Sequence, residues 1–158
     1  MAISFGTSSA LTITAGSLAS AAARSSAAVT TSTSINVIDI QITVNILTTS
    51  TAPSGNKQVI VYGYSSEDGT NYSSASSVID NVDGTDKTLT AIGTPSILKR
   101  IGTIPLQQGA NAVTIRQTFS IVSAFGFIPE KWGVVLYNDA GTALGATVSV
   151  TYSEVSYS

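Results

Sequence analysis

The sequence predicts an all-β protein, an antiparallel β-sandwich of jelly-roll-like kind, with an immunoglobulin-like sandwich as the alternative. Three observations carry this expectation. From Ile38 to Ile46 the apolar residues Ile38, Ile40, Ile42, Val44 and Ile46 alternate with Asp39, Gln41, Thr43 and Asn45. That period of two describes a strand with one buried and one wet face, whereas a helix would spread the isoleucines around its circumference. Apolar stretches recur between clusters of Gly, Pro, Asn and Asp, the residues that bend a chain. No long stretch shows the apolar spacing of an amphipathic helix.

Taken in order, residues 3–14 contain a short strand at Ala10–Thr14. The tract 15–34, "AGSLASAAARSSAAVTTSTS", is nearly free of bulky side chains. It reads as a helical turn around Leu18–Ala23, as an extended arm on another surface, or as a flexible linker. The alternating strand fills 35–49, and "TAPSGN" (51–56) is a turn. Residues 57–65, "KQVIVYGYS", are apolar on both faces, which marks a more central strand. "EDGTNY" (67–72) returns the chain into a polar loop over 73–89 with a short strand around Val78. Further strands are expected at Leu89–Ile92, 96–104 and 112–122, the last on the alternation of Val113, Ile115, Gln117, Phe119 and Ile121. Residues 131–157 read as a hairpin turning at "NDAG" (138–141), with Ala146, Val148, Val150 and Tyr152 on one face of the closing strand. The 158 residues make one domain, with 1–34 as an N-terminal strand and small-residue arm and 35–158 as the sandwich body.

Composition narrows the function. Only 10% of residues are charged, against about 25% in an average soluble protein. Ser and Thr supply more than a quarter of the chain. Hydroxyls and backbone therefore solvate the surface, which suits faces that meet other subunits, since charge is depleted at interface cores. A net charge of −2 and a lone basic pair, Lys99–Arg100, give no footprint for nucleic acid. Without cysteine there is no disulfide framework and no thiolate ligand or nucleophile. The first 26 residues have no uninterrupted apolar segment, so neither a cleaved leader nor a membrane span is expected.

Candidate sites are few. The absence of histidine removes Ser-His-Asp and Cys-His triads and the usual neutral-pH base. Of nine acids, six lie in 67–86 and at 139, where turns account for them. No enzymatic activity and no cofactor are expected. "SSEDGTNY" (65–72) approximates the Asp-box pattern through Ser66, Asp68, Gly69 and Tyr72, although Gly69 directly follows Asp68. Asp-Gly turn chemistry explains these residues structurally, and a ligand-facing hairpin presenting Asp68 and Tyr72 is the functional alternative. Asp80, Asp83 and Asp86 raise a calcium loop, but an EF-hand register would place Ile79 and Thr90 at the first and last ligand positions. A solvated turn is the simpler reading, and no metal site is assigned. Phe125, Phe127 and Trp132 surround Pro129, either as a loop over the core's end or as anchors at a subunit interface. With Leu18 and Arg24 from the arm, these three form the candidate interface.

The opening "AISFGTSSALTITAGSLAS", the small-residue tract with its one Arg, the Y-x-S-x-D-G-x-x-Y hairpin and "PEKWGVVLYNDAGTAL" together resemble small virion structural proteins of tailed bacteriophages, most of all capsid decoration (cement) proteins. That resemblance implies a β-sandwich, often a homotrimer, made in the host cytoplasm and bound to the outside of the major capsid protein shell at its threefold points. A tail or baseplate component is the nearest alternative, and a carbohydrate-recognition module centred on the tyrosines or Trp132 is a further one.

Overall fold

A computed structural model describes residues 2–33, 36–72, 81–89, 92, 98–106 and 112–157. It is an all-β sandwich of two antiparallel sheets. Among the described residues the strands are β1 (Ile3–Phe5), β2 (Ser9–Leu11), β3 (Ala23–Ser25), β4 (Val29–Thr30), β5 (Asn36–Leu47), β6 (Gln58–Ser66), β7 (Lys87–Leu89), β8 (Lys99–Pro105), β9 (Thr114–Ser120), β10 (Lys131–Asp139) and β11 (Val148–Tyr157), with one short helix, α1 (Ile121–Phe125). The first sheet runs β1–β11–β5–β9, with β2 also on β11. The second runs β7–β3–β10–β6–β8, with β4 also on β10.

The alternating strand behaves as its sequence dictates. Ile40, Ile42, Val44 and Ile46 of β5 have no accessible surface, while Gln41, Thr43 and Asn45 are half-buried on the other face. Opposite them, Val59 and Val61 of β6 and Trp132, Val134 and Leu136 of β10 complete the core between the sheets. β6 and β10 are apolar on their second face as well, and that face is also covered. Tyr64 and Val135 pack there with Ala23, Val82, Leu89 and Leu98 in a smaller cluster. Leu89 reaches this cluster from β7, which pairs with β3 at the edge of the same sheet, and Val82 reaches it from the segment just before β7.

The structure corrects four expectations. Residues 15–34 are not an arm laid on another surface. β3 and β4 pair with β10 through Val135↔Ser25 and Trp132↔Val29, and β1 and β2 pair with β11. Between β2 and β3 the chain makes two tight turns, Leu18 N–H to Ala15 carbonyl and Ala22 N–H to Ala19 carbonyl, with Ser17 and Ala21 at positive φ. The small residues serve close packing within the molecule: Leu11, Ala15, Leu18 and Ala23 are all buried.

Residues 131–157 are not a hairpin either. β6 covers one edge of β10 along its whole length and β3 and β4 occupy the other, so β11 crosses to the first sheet and pairs with β5. The strand expected over 112–122 stops at Ser120, whose hydroxyl caps α1 by accepting from the Ser123 amide at 3.0 Å. Asp39 reinforces the break by accepting from the Ser120 hydroxyl at 2.7 Å. Finally, the strand expected at Leu89–Ile92 begins earlier, at Lys87, and Ile92 lies outside any strand, while residues 90 and 91 lie outside the described residues. The strand expected around Val78 lies outside the described residues.

Two outcomes test this packing. Ile42→Ala leaves a cavity between the sheets and should cost about 2–5 kcal/mol in urea denaturation. Deleting residues 2–30 removes β1–β4 and six buried side chains, those of Leu11, Ala15, Leu18, Ala23, Ser25 and Ser26. The truncated chain should then lose its cooperative thermal transition, and a wild-type-like melt would contradict the integration of this segment.

Candidate functional site

The turn after β6 is built by Asp68. Its carboxylate accepts from the amides of Thr70 and Asn71, both at 2.8 Å, from Asn71 Nδ2 at 2.6 Å and from the Ser66 hydroxyl at 2.9 Å. Gly69 supplies the positive φ of 68°. Those donors hold the Asp68 carboxyl far below the usual carboxylate range. Its lone pairs are occupied by the turn itself, so the Asp-box-like pattern acts here as turn chemistry.

The turn sets Tyr72 beside Tyr64, with ring centroids 5.6 Å apart and planes at 78°. Both hydroxyls face the protein: Tyr64 donates to the Ser26 carbonyl at 2.6 Å and Tyr72 to the Gly69 carbonyl at 3.2 Å. Burial pushes the Tyr64 phenol well above its ordinary range, so it stays neutral. From the other side α1 delivers Phe125, which meets Phe127 edge-on at 5.8 Å. The four rings, with Leu98 and Lys99, wall a groove of about 200 Å³ beside Gly63 and Ser65. Glycine is required twice here. A Cβ at Gly63 would sit 2.7 Å from the Phe125 ring, and one at Gly133 would sit 2.3 Å from the Tyr64 ring.

Two separate candidates from the sequence, Tyr72 and the Phe125–Phe127 pair, therefore meet in one place. Phe127 is 46% exposed, and Ile128 beside it is also exposed. The remaining candidates do not join them. Trp132 has no accessible surface and packs edge-on against Tyr152 at 5.3 Å, and Leu18 is a core residue. Neither has side-chain surface left for a neighbouring subunit, which corrects their assignment as interface anchors. The Trp132 indole N–H is the one buried side-chain polar atom without a hydrogen-bond partner among the described residues. Arg24 is turned onto its own chain, pairing with Asp86 at 2.6 Å and donating to Thr88 at 3.0 Å.

The acidic cluster resolves into internal contacts. Asp83 pairs with Lys87 at 2.6 Å and accepts from Thr85, while Asp86 holds Arg24 and Thr14. Asp80 lies outside the described residues. No cluster of acids suited to a metal ion occurs among the described residues, and no helix there is long and apolar enough to cross a membrane. A second recess of about 260 Å³ lies where β1 gives way to β2, lined by hydroxyls of Thr7, Ser9, Thr30 and Ser32 with Tyr152 and Glu154. The Glu154 carboxylate there accepts from the Ser32 amide at 2.7 Å.

Sequence reasoning placed Phe125 and Phe127 beside Trp132 but missed Tyr64 as their neighbour. The available signal was the aromatic–glycine–aromatic triplet Tyr62–Tyr64, in which Gly63 opens space that the Phe125 ring fills. Comparison with protein families, curated proteins and solved structures gives no match.

For Asp83 and Asp86 burial raises the carboxyl pKa, but the bonds from Lys87 and Thr85, and from Arg24 and Thr14, outweigh it and leave both lowered. The stability they contribute is complete above the unfolded value of about 3.9 and is lost as pH falls below it. Asp86→Asn should therefore flatten the acid limb of a Tm-against-pH curve. An unchanged limb would contradict the pairing. Gly133→Ala should cost about 1–3 kcal/mol by displacing Tyr64, and a neutral result in urea would contradict the ring's position.

Proposed function

We propose that this chain is a virion structural protein that binds and does not catalyse: a capsid decoration protein of a tailed bacteriophage, seated as a homotrimer on the outside of the major capsid protein shell. The observation that carries the reading is the groove of four aromatic rings whose tyrosine hydroxyls are turned inward, leaving ring carbon and the exposed Phe127 and Ile128 facing out. Such a surface gains free energy by being covered with apolar surface, and aromatic anchors dominate protein–protein docking. Two titratable groups described near it are already engaged, and Lys99 is the charged side chain on its wall. Asp68 is filled by its turn and the Tyr64 phenol is held neutral by burial. The sequence resemblance points the same way, and a tail or baseplate component would use the same surface.

The carbohydrate-recognition reading draws on the same rings. It is weaker because a sugar needs polar groups around the stacking face, and among the described residues this groove offers Ser65 and Lys99 as polar side chains beyond the internally bonded tyrosines.

The test is co-sedimentation with empty shells assembled from the major capsid protein. The chain should pellet saturably, and Phe127→Asp should weaken binding at least about tenfold while its melt is unchanged. A chain that stays in the supernatant at saturating shell concentration would sink the reading. Saturable binding to surface polysaccharide, lost in Tyr72→Ala, would favour the carbohydrate alternative.

A further inference from the structure

Among the described residues the strands paired on one side only are β1, β2 and β9 in the first sheet and β4, β7 and β8 in the second, and three of these six are guarded. β8 carries Lys99 and Arg100 and ends in Pro105, β9 carries Arg116, and β7 opens on Lys87. Charge and proline on an edge strand discourage another strand from adding to it. β1, β2 and β4 have no such guard, but β2 buries Leu11 and β4 is two residues long, which sets β1 apart. This strand reads Ile-Ser-Phe, every residue exposed, and Phe5 at 64% and Ile3 at 59% are the two most exposed large apolar side chains described. Ile3 and Phe5 share a face by strand alternation, and Tyr157, which is 41% exposed, stands directly opposite Ile3 on β11. The result is an apolar patch lying along an open sheet edge.

We propose that β1 is a self-association strand: a second copy of this chain adds its own β1 antiparallel to it, extending the first sheet through a twofold axis at Ser4. The chemistry of the edges selects the occupant. Antiparallel pairing about Ser4 sets Ile3 of each copy opposite Phe5 of the other, apolar against apolar. Pairing with β7, β8 or β9 of a neighbour would set Lys or Arg beside those same side chains. Because β1 is uncharged, the twofold arrangement brings no like charges together. A twofold contact is isologous, so it adds to the threefold assembly proposed above by linking oligomers in pairs, and it stands whether or not that assembly exists.

The chain has no cysteine, which makes a direct test available. In an antiparallel pair centred on Ser4, the two Ser4 Cα atoms lie about 4.5 or 5.5 Å apart depending on ladder position, both within disulfide reach. Full-length Ser4→Cys, oxidised with copper-phenanthroline at micromolar concentration, should convert to a covalent dimer on non-reducing gels. Ser123→Cys, exposed on α1, should convert at least about tenfold less under the same conditions, the margin expected of specific over chance encounter. In sedimentation equilibrium Phe5→Lys should halve the wild-type mass at concentrations where wild type is associated, while Phe127→Lys should leave β1 pairing intact, read as undiminished cross-linking of Ser4→Cys in that background. Equal cross-linking at positions 4 and 123, no cross-linking at position 4, or a mass unaffected by Phe5→Lys would each overturn the proposal. Shell binding is read separately, so failure here is distinguishable from failure of the capsid reading.

Discussion

The crossover from β10 to β11 must carry polar backbone over the end of an apolar core, and one buried side chain makes that feasible. Asn138 has no accessible surface. Its amide nitrogen donates to the carbonyls of Leu18 at 2.9 Å and Thr142 at 2.8 Å, and its carbonyl oxygen accepts from the Ala140 amide at 3.1 Å. Its backbone bonds the next N-terminal turn, accepting from the Ala21 amide and donating to the Ala22 carbonyl. A buried amide is costly unless satisfied, and this one is satisfied only when the N-terminal turns and the crossover are both in place. The two sheets, the small-residue tract and the last crossover are therefore conditions of one another.

This constraint explains why the tract 15–34 is poor in bulky side chains. Its alanines and serines pack against the strand ends while their amides find carbonyls elsewhere: Ser17 to Gly145, Ser26 to Val134, Ala27 to Thr12. Small size there permits close approach within the molecule, where the extended-arm reading, one of the three the sequence offered, placed it against another surface. With that segment in the body, the exposed apolar features among the described residues include Phe127 at the aromatic groove and the β1 edge.

What could be read from the sequence follows the reach of each signal. β5 was legible because alternation over nine residues reports its own two environments without knowledge of any partner. The two-faced burial of β6 was legible for the same reason. Pairing was not. "NDAG" has the composition of a hairpin turn, yet both edges of β10 were already taken by segments more than sixty residues away in the chain, a fact no local pattern contains. α1 was missed because Ile121 continues the phase of β9, and the break comes from Asp39, a side chain on another strand. In the candidate site, the Asp68 turn was legible because its partners lie within three residues. The groove was not, since it joins Tyr64 and Tyr72 to Phe125 and Phe127 across the fold.

Among the described residues the side chains of Asp68, Asp83, Asp86 and Asn138 are engaged within the sandwich, and the exposed apolar features include Phe127, Ile128 and the β1 edge. Amide hydrogen exchange on the intact protein tests the basis of that account most directly. If the N-terminal segment is part of the sandwich, the amides of Ser17, Ala21, Ser26 and Ala27 should exchange as slowly as that of Val44 in the centre of β5. Exchange of those four at free-chain rates beside a protected Val44 would contradict it.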